Sequence, residues 1–330
     1  MIARARPGAL ALKLFPFCLA IFAFAASLIY LVRDQSFAQA QGAVRVLSNS
    51  AFLSAWGPGP ELAKRFTEQT GIAIEFLDAG DAALLLKKLE LFPSDVVVGF
   101  DELNLGQARA AGHWRGDFVA YDWAPMAFIY REGELAPPSS LQDLLAPRFA
   151  GTIALEDPRT STPGLQFFFW VLDELGIDEG FAYLEKLKPN VQSVGATWSQ
   201  AYGSFTKKKS KLAFSYLTSP VYHWSEEKNR GYQPALFPAG HPTQTEYAAI
   251  AEACGNCEGA EKFLRFLLEP AAQAIVMNKN FMFPVAISAA QGTDFELLLD
   301  KQPVSRAWRN LPALLEHREE LFERWRRLGL

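Results

Sequence analysis

The segment Glu156-Asp157-Pro158-Arg159-Thr160-Ser161-Thr162-Pro163-Gly164-Leu165 crowds hydroxyls in front of a proline. Thr162 is placed to cap a helix whose first residue is Pro163, so free backbone N–H groups and the hydroxyls of Ser161 and Thr162 point at one spot. Such an end attracts anions. The same logic returns at Tyr216-Leu217-Thr218-Ser219-Pro220, where a strand ends and Ser219-Pro220 starts the next helix. Taken singly, each segment also reads as ordinary Ser/Thr capping. Together the two ends could take a phosphate or a hydroxyl of one ligand. Aromatic residues gather nearby: Trp198, Tyr202, Tyr216, Tyr222, His223 and Trp224, with Phe281 and Phe283 further on. Flat rings stack on planar ligands and attract cations through their quadrupole, but they also fill cores. Asp81 either caps a helix or presents a carboxylate to an amino group or a cation at the interface between lobes.

Patterns for catalysis are missing from the sequence. The four histidines, His113, His223, His241 and His317, lack the H-E-x-x-H spacing, and there is no G-x-S-x-G or Walker-type loop. Glu319 and Glu320 read as a solvated helix face. Cys254 and Cys257 form a C-x-x-C. In an oxidising compartment this reads first as a small structural disulfide. A redox-active pair would want a thioredoxin-like βαβ setting, which this stretch lacks. Zinc would need a second pair of ligands. No catalytic residue, metal or cofactor is expected.

The elements that must carry these residues follow from hydrophobic period and punctuation. Residues 44–49 read as strand, 60–69 as an amphipathic helix stopped by Gly71, 72–77 as strand, 81–91 as helix and 95–100 as a buried strand. The rhythm returns with strand at 152–155, helices at 163–175 and 179–187, and strands at 193–196 and 212–216. Such alternation implies α/β layers with parallel-rich sheets, and ligands then sit beyond the C-terminal ends of the strands. Residues 120–131 read as extended chain between two lobes, and residues 233–241 as the return. Residues 247–251 read as strand, 259–268 as helix and 311–327 as one charged amphipathic helix packed on the outside. The expected division is residues 41–124 plus 235–330 in the first lobe and 125–234 in the second.

Residues 1–40 stand apart as an export segment. Arg4, Arg6 and Lys13 precede an uncharged run over residues 14–32, and Ala38-Gln39-Ala40 has the A-x-A form that signal peptidase accepts. The run exceeds the roughly 7–15 residues of a usual signal core, so a retained anchor is the alternative to cleavage. Either way the later residues face outward, which predicts a periplasmic location. Cys18 lacks the small residues before it that lipid attachment needs. With half the residues hydrophobic and 21% charged, the chain is a folded one. A net charge of −4 excludes a general nucleic-acid binder, which needs a basic surface.

Several of these segments together resemble the periplasmic thiamine-binding proteins of ABC transporters. The matching stretches are Trp56-Gly57-Pro58-Gly59-Pro60, Asp157 to Leu165, Trp198-Ser199-Gln200-Ala201-Tyr202-Gly203, and Ser215 to His223, in order along residues 44 to 290. The resemblance implies a type II periplasmic binding protein fold, two α/β lobes joined by a hinge with the ligand cleft between them. It implies that Asp81, Ala82, Ser161, Thr162, Trp198, Tyr216, Leu217, Thr218 and Ser219 line the site of thiamine or its mono- or diphosphate, and that Tyr222 stacks on it. It implies a monomer that hands its ligand to a membrane permease. The chain departs from the family at Phe281, where the family has Trp, at Asn49, where it has Tyr, and at Leu217, where it has Thr. The alternatives are a related pyrimidine, ferric iron or a polyamine as ligand, or a thiamine-degrading enzyme with a cysteine nucleophile.

Overall fold

The computed structural model describes residues 42–301, 303 and 305–330. The export segment read over residues 1–40, with Cys18, lies outside the described residues. Ten strands are described: Val44–Ser48 (β1), Ile74–Asp78 (β2), Val96–Phe100 (β3), Trp114–Arg131 (β4), Ile153–Glu156 (β5), Val191–Gly195 (β6), Leu212–Tyr216 (β7), Tyr232–Ala235 (β8), Thr243–Ala251 (β9) and Phe283–Pro284 (β10). The order β2-β1-β3-β9-β4-β7-β5-β6 contains one design twice. In the first half β2, β1 and β3 run parallel and β9 joins β3 antiparallel. In the second half β6, β5 and β7 run parallel and β4 joins β7 antiparallel. This is the type II α/β architecture.

The strand β4, 18 residues long, belongs to both halves. Residues from Trp114 to Pro125 pair with β9, and those from Met126 onward pair with β7 and β8. At the change of partner, Met126 N–H donates to the Pro242 carbonyl at 2.8 Å and Leu217 N–H to the Pro125 carbonyl at 2.8 Å. His241 locks this crossing from within. Its Nε2 accepts from Phe237 N–H at 2.7 Å, so Nδ1 carries the proton and donates to the Met126 carbonyl at 2.5 Å. Burial pushes this imidazole down to about 4, which keeps it neutral.

Local chemistry explains the elements. The run VVVGF of β3 is buried on every residue, as a parallel strand covered on both faces must be. The helix Gly59–Thr70 holds Pro60 in its first turn, turns Leu62 and Phe66 inward and ends on Gly71 at φ 74°, a left-handed cap that glycine adopts without penalty. Residues 81–91, expected as one helix, instead form a 3-10 turn at Ala82–Leu84 and a short helix at Leu85–Leu89. A segment this short has too few turns to stand without tertiary support.

The helix Thr162–Leu175 is apolar nearly all round, with Phe167, Phe168, Phe169 and Trp170 buried. Such a helix must be covered on every side. Its outer face is covered by the C-terminal segment, which is two helices, Leu311–Glu316 and Arg318–Leu328, rather than the single helix expected over residues 311–327. Trp325 meets Phe168 edge-on at 5.3 Å, and the N–H groups of Arg309 and Asn310 donate to Asp173 Oδ1 at 3.0 and 2.7 Å. The tail therefore packs on the second half, not on the first as its chain position suggested. Trp325→Ala should lower stability by about 3–5 kcal/mol, the usual cost of removing a buried large aromatic, and urea unfolding followed by circular dichroism would show the earlier midpoint.

Candidate functional site

The strand ends converge as parallel α/β sheets require, and they bring most of the expected residues to the region around the β4 crossing. On the second half, Gly164 lets the Thr162 helix sit directly on the end of β5: a Cβ there would come within 2.6 Å of the Glu156 carbonyl. Ser161, not Thr162, is the cap, because it has the extended backbone, φ −137° and ψ 128°, that a cap needs. Its side chain makes no capping bond, so the hydroxyls of Ser161 and Thr162 remain uncommitted to the helix end. Thr197 takes the capping duty for the helix Trp198–Thr206. Trp198 stacks on Tyr202 at 5.0 Å and donates from Nε1 to Ser215 Oγ at 2.8 Å, and the Ser215 and Ser219 hydroxyls lie 2.7 Å apart. Ser219 is thus drawn into a relay with Trp198 and does not cap the helix Pro220–Ser225.

Other residues fall less simply. Leu217 is fully buried in the core with Val221 and Trp224, and the Thr218 hydroxyl is buried with no hydrogen-bond partner among the described residues. Tyr222 is 42% exposed and meets Phe281 edge-on at 5.4 Å, one ring from each half. Phe281 holds this position in the left-handed region, φ 54°. Asp81 caps the 3-10 turn, accepting from Ala83 N–H at 3.0 Å, and Ala82 packs against the cluster that holds Leu47, Leu85 and Val97. Cys254 and Cys257 are joined in a disulfide. That turn is fastened by Asp95 Oδ1, which accepts from Gly255 N–H at 2.7 Å and Asn256 N–H at 2.9 Å.

Sequence reasoning missed a group of buried and half-buried acids beside Tyr216. Asp101 caps the helix Glu102–Ala111, and Glu102 accepts from Thr245 N–H. Asp122 on β4 and Glu246 on β9 face each other in register. Gln244 Nε2 donates to Tyr216 Oη at 3.3 Å and to Glu246 Oε1 at 3.1 Å, which ties the acids of the first half to a ring of the second. Glu156, at the end of β5, is 1% exposed, and neither of its carboxylate oxygens has a hydrogen-bond partner among the described residues. The available signal was weak: an Asp or Glu flanked by an aromatic residue within a strand, at Tyr121-Asp122-Trp123 and Thr245-Glu246-Tyr247.

Burial raises the pKa of Asp81, Asp101, Glu102, Asp122, Glu156 and Glu246 alike. The charged groups acting on them are other carboxylates, with no Lys, Arg or His among them. Asp101 is pushed up to about 7, by burial first and then against two backbone donors, and Glu102 to about 8, by burial and then by Asp101. Elsewhere a carboxylate meets its cation: Glu134 is held below its ordinary range by hydrogen bonds from Arg131. A desolvated set of acids without a counter-ion is arranged to receive positive charge or hydrogen-bond donors.

An acceptor-rich, aromatic-lined site where two α/β halves meet across a shared strand defines a two-lobed solute-binding protein. The chain belongs to the bacterial extracellular solute-binding protein family, whose model matches residues 57–281. It is 35% identical over 269 residues to the thiamine-binding periplasmic protein of Escherichia coli K12, covering 75% of this chain and 82% of that one. The protein of the same name from Brucella suis is also 35% identical, with 75% and 80% covered. A solved periplasmic thiamin binding protein superposes with a TM-score of 0.77 at 30% identity, covering 87% of this chain and 96% of that one. A ferric binding protein from Campylobacter jejuni, at 17% identity and a TM-score of 0.68 with 87% and 99% covered, shares the fold. Among the described residues no helix is long and apolar enough to cross a membrane.

The raised acids fix a pH dependence of stability. The folded chain holds protons that the unfolded chain, with carboxylates near about 4, has already lost, so their contribution is complete at low pH and is lost as pH rises through 7 to 8. His241 opposes this only below its unfolded value of about 6.5. The ligand-free protein should therefore melt at a lower temperature at pH 8.5 than at pH 6.5, and Glu102→Gln should flatten the difference in a calorimetric scan.

Proposed function

We propose that this protein is a periplasmic receptor that binds thiamine or a thiamine phosphate and delivers it to the membrane permease of an ABC importer. The observation that carries the reading is the set of six carboxylates raised by desolvation, Asp101, Asp122 and Glu156 fully buried and Asp81, Glu102 and Glu246 half-buried, with no cation among the groups acting on them and with Tyr216 tied to Glu246 through Gln244. Thiamine has a permanently cationic thiazolium, an aminopyrimidine that donates hydrogen bonds, and a hydroxyethyl arm. The acids answer the cation and the amino group, the rings answer the flat faces, and the hydroxyls of Ser161, Thr162 and Ser219 answer the arm or a phosphate on it. The names of the relatives agree with this ligand.

Ferric iron is the weaker reading. It wants ionised phenolates, whereas burial, then Glu246, drives the Tyr216 phenol well above its ordinary value. The reading includes no chemical step, and the disulfide leaves Cys254 and Cys257 without a free thiolate. The lobe limits we propose are residues 41–124 with 235–310, and 125–234 with the C-terminal segment from Leu311. The protein acts as a monomer.

Calorimetric titration with thiamine, its mono- and diphosphate and Fe³⁺ tests the ligand. Heat is expected with at least one form of thiamine and none with iron, and silence with every form of thiamine at tens of micromolar protein would sink the reading. Trp198→Ala should weaken binding by about 1 kcal/mol or more, the scale of a ring stack. Asp81→Asn should weaken the cation more than it weakens an uncharged analogue.

A further inference from the structure

Asp122 and Glu246 are directly opposed on β4 and β9 and share one amide: Asn280 Nδ2 lies 2.7 Å from Asp122 Oδ2 and 3.2 Å from Glu246 Oε2. Glu246 has two further donors, Tyr121 Oη at 2.5 Å and Gln244 Nε2 at 3.1 Å. Asp122 has the amide and a hydrogen bond shared with Glu246, and its Oδ1 and the Gln244 Oε1 are buried with no hydrogen-bond partner among the described residues. Two carboxylates this close and this dry do not both ionise. The distribution of donors puts the charge on Glu246 and the proton on Asp122.

The groups packed around the pair do not supply a counter-charge. Asp101 and Glu102 stand at the start of their helix, Tyr121 on β4 and Tyr216 on β7, all acidic or neutral, and Asp81 on the 3-10 turn acts on Asp101. Lys279, the neighbour of Asn280, faces Glu61 at 3.9 Å, and Arg109 lies over the Phe118 ring at 5.8 Å. The route from the pair to the ring-lined site is Glu246 to Gln244 to Tyr216.

We propose that Asp122 and Glu246 form a charge-reading pair that sets specificity: a permanently cationic ligand displaces the proton of Asp122 to solvent, whereas an uncharged ligand of the same shape leaves it in place. The Asp122 O–H bond breaks, the proton goes to the buffer, and the arriving cation replaces the charge it carried. The inference rests on the cationic-ligand reading above. It makes the pair a positioning device for charge, since neither residue needs to touch the ligand.

The test is calorimetric titration of the full chain with thiamine at pH 7 in two buffers of different ionisation enthalpy. The heats should differ by about one proton released per thiamine, and affinity should rise towards about tenfold per pH unit where that proton is exchanged. An isostere with a neutral ring in place of the thiazolium should release none. Asp122→Asn, which fixes the neutral form, should bind more weakly and lose the buffer dependence, and Glu246→Gln gives the same readout if that variant does not fold. Thiamine binding with equal heats in both buffers, or proton release that persists in Asp122→Asn, overturns the charge-reading pair and leaves the ligand reading standing. A folded protein that gives no heat with thiamine overturns both.

Discussion

Backbone hydrogen bonding along Trp114–Arg131 is the constraint on which the rest of the molecule hangs. One strand supplies the antiparallel partner for β9 in the first half and for β7 and β8 in the second, and it changes partner between Pro125 and Met126. The two halves are therefore held by continuous main chain, with His241 bonded to the Met126 carbonyl at the point of change. The parallel strands of both halves then run towards that point, because each half orders its strands in the same way around the shared one. The site is a consequence of this arrangement: hydroxyls and rings arrive on the ends of β5 and β7, and carboxylates on β3, β4 and β9.

The second constraint is electrostatic and works against the fold. Burying carboxylates without cations costs free energy, and the chain meets that cost by holding protons and by spending hydrogen bonds from Asn280, Gln244 and Tyr121 on Glu246. Elsewhere the same chain pairs its acids in the ordinary way, as Arg131 does for Glu134 with two short bonds. The unpaired acids are thus a local departure from the rule the chain otherwise follows, and such departures mark functional sites.

Much of the architecture is legible in the sequence because its signals are local. The apolar run of β3, the Gly71 stop and the Ser219-Pro220 helix start are each decided within a few residues. The start of the Thr162 helix is misread by one position because Ser161 and Thr162 are equally good caps and only backbone geometry separates them. The tail is misassigned for a different reason: its partners, Phe168 and Asp173, are chosen by the need of an all-apolar helix for cover, which no local pattern in the tail announces. The acid group is illegible on the same ground. Asp122 meets Asn280 across 158 residues and Tyr121 meets Glu246 across 125, so each residue, read alone, is only an acid out of place in a strand.

The position of β9 between β3 and β4 also governs the order in which the molecule can assemble. The first half cannot finish its sheet until residues 243–251 exist, by which time all of β5, β6 and β7 has been made. The second half can close on β4 earlier, but its apolar helix stays uncovered until residues 311–328 arrive to carry Trp325 to Phe168. Pairings of such long sequence separation are slow to form. A chain built this way remains an extended, threadable polymer for longer than one whose neighbours in sequence are neighbours in space, which is the condition under which a polypeptide can be passed through a narrow channel before it folds.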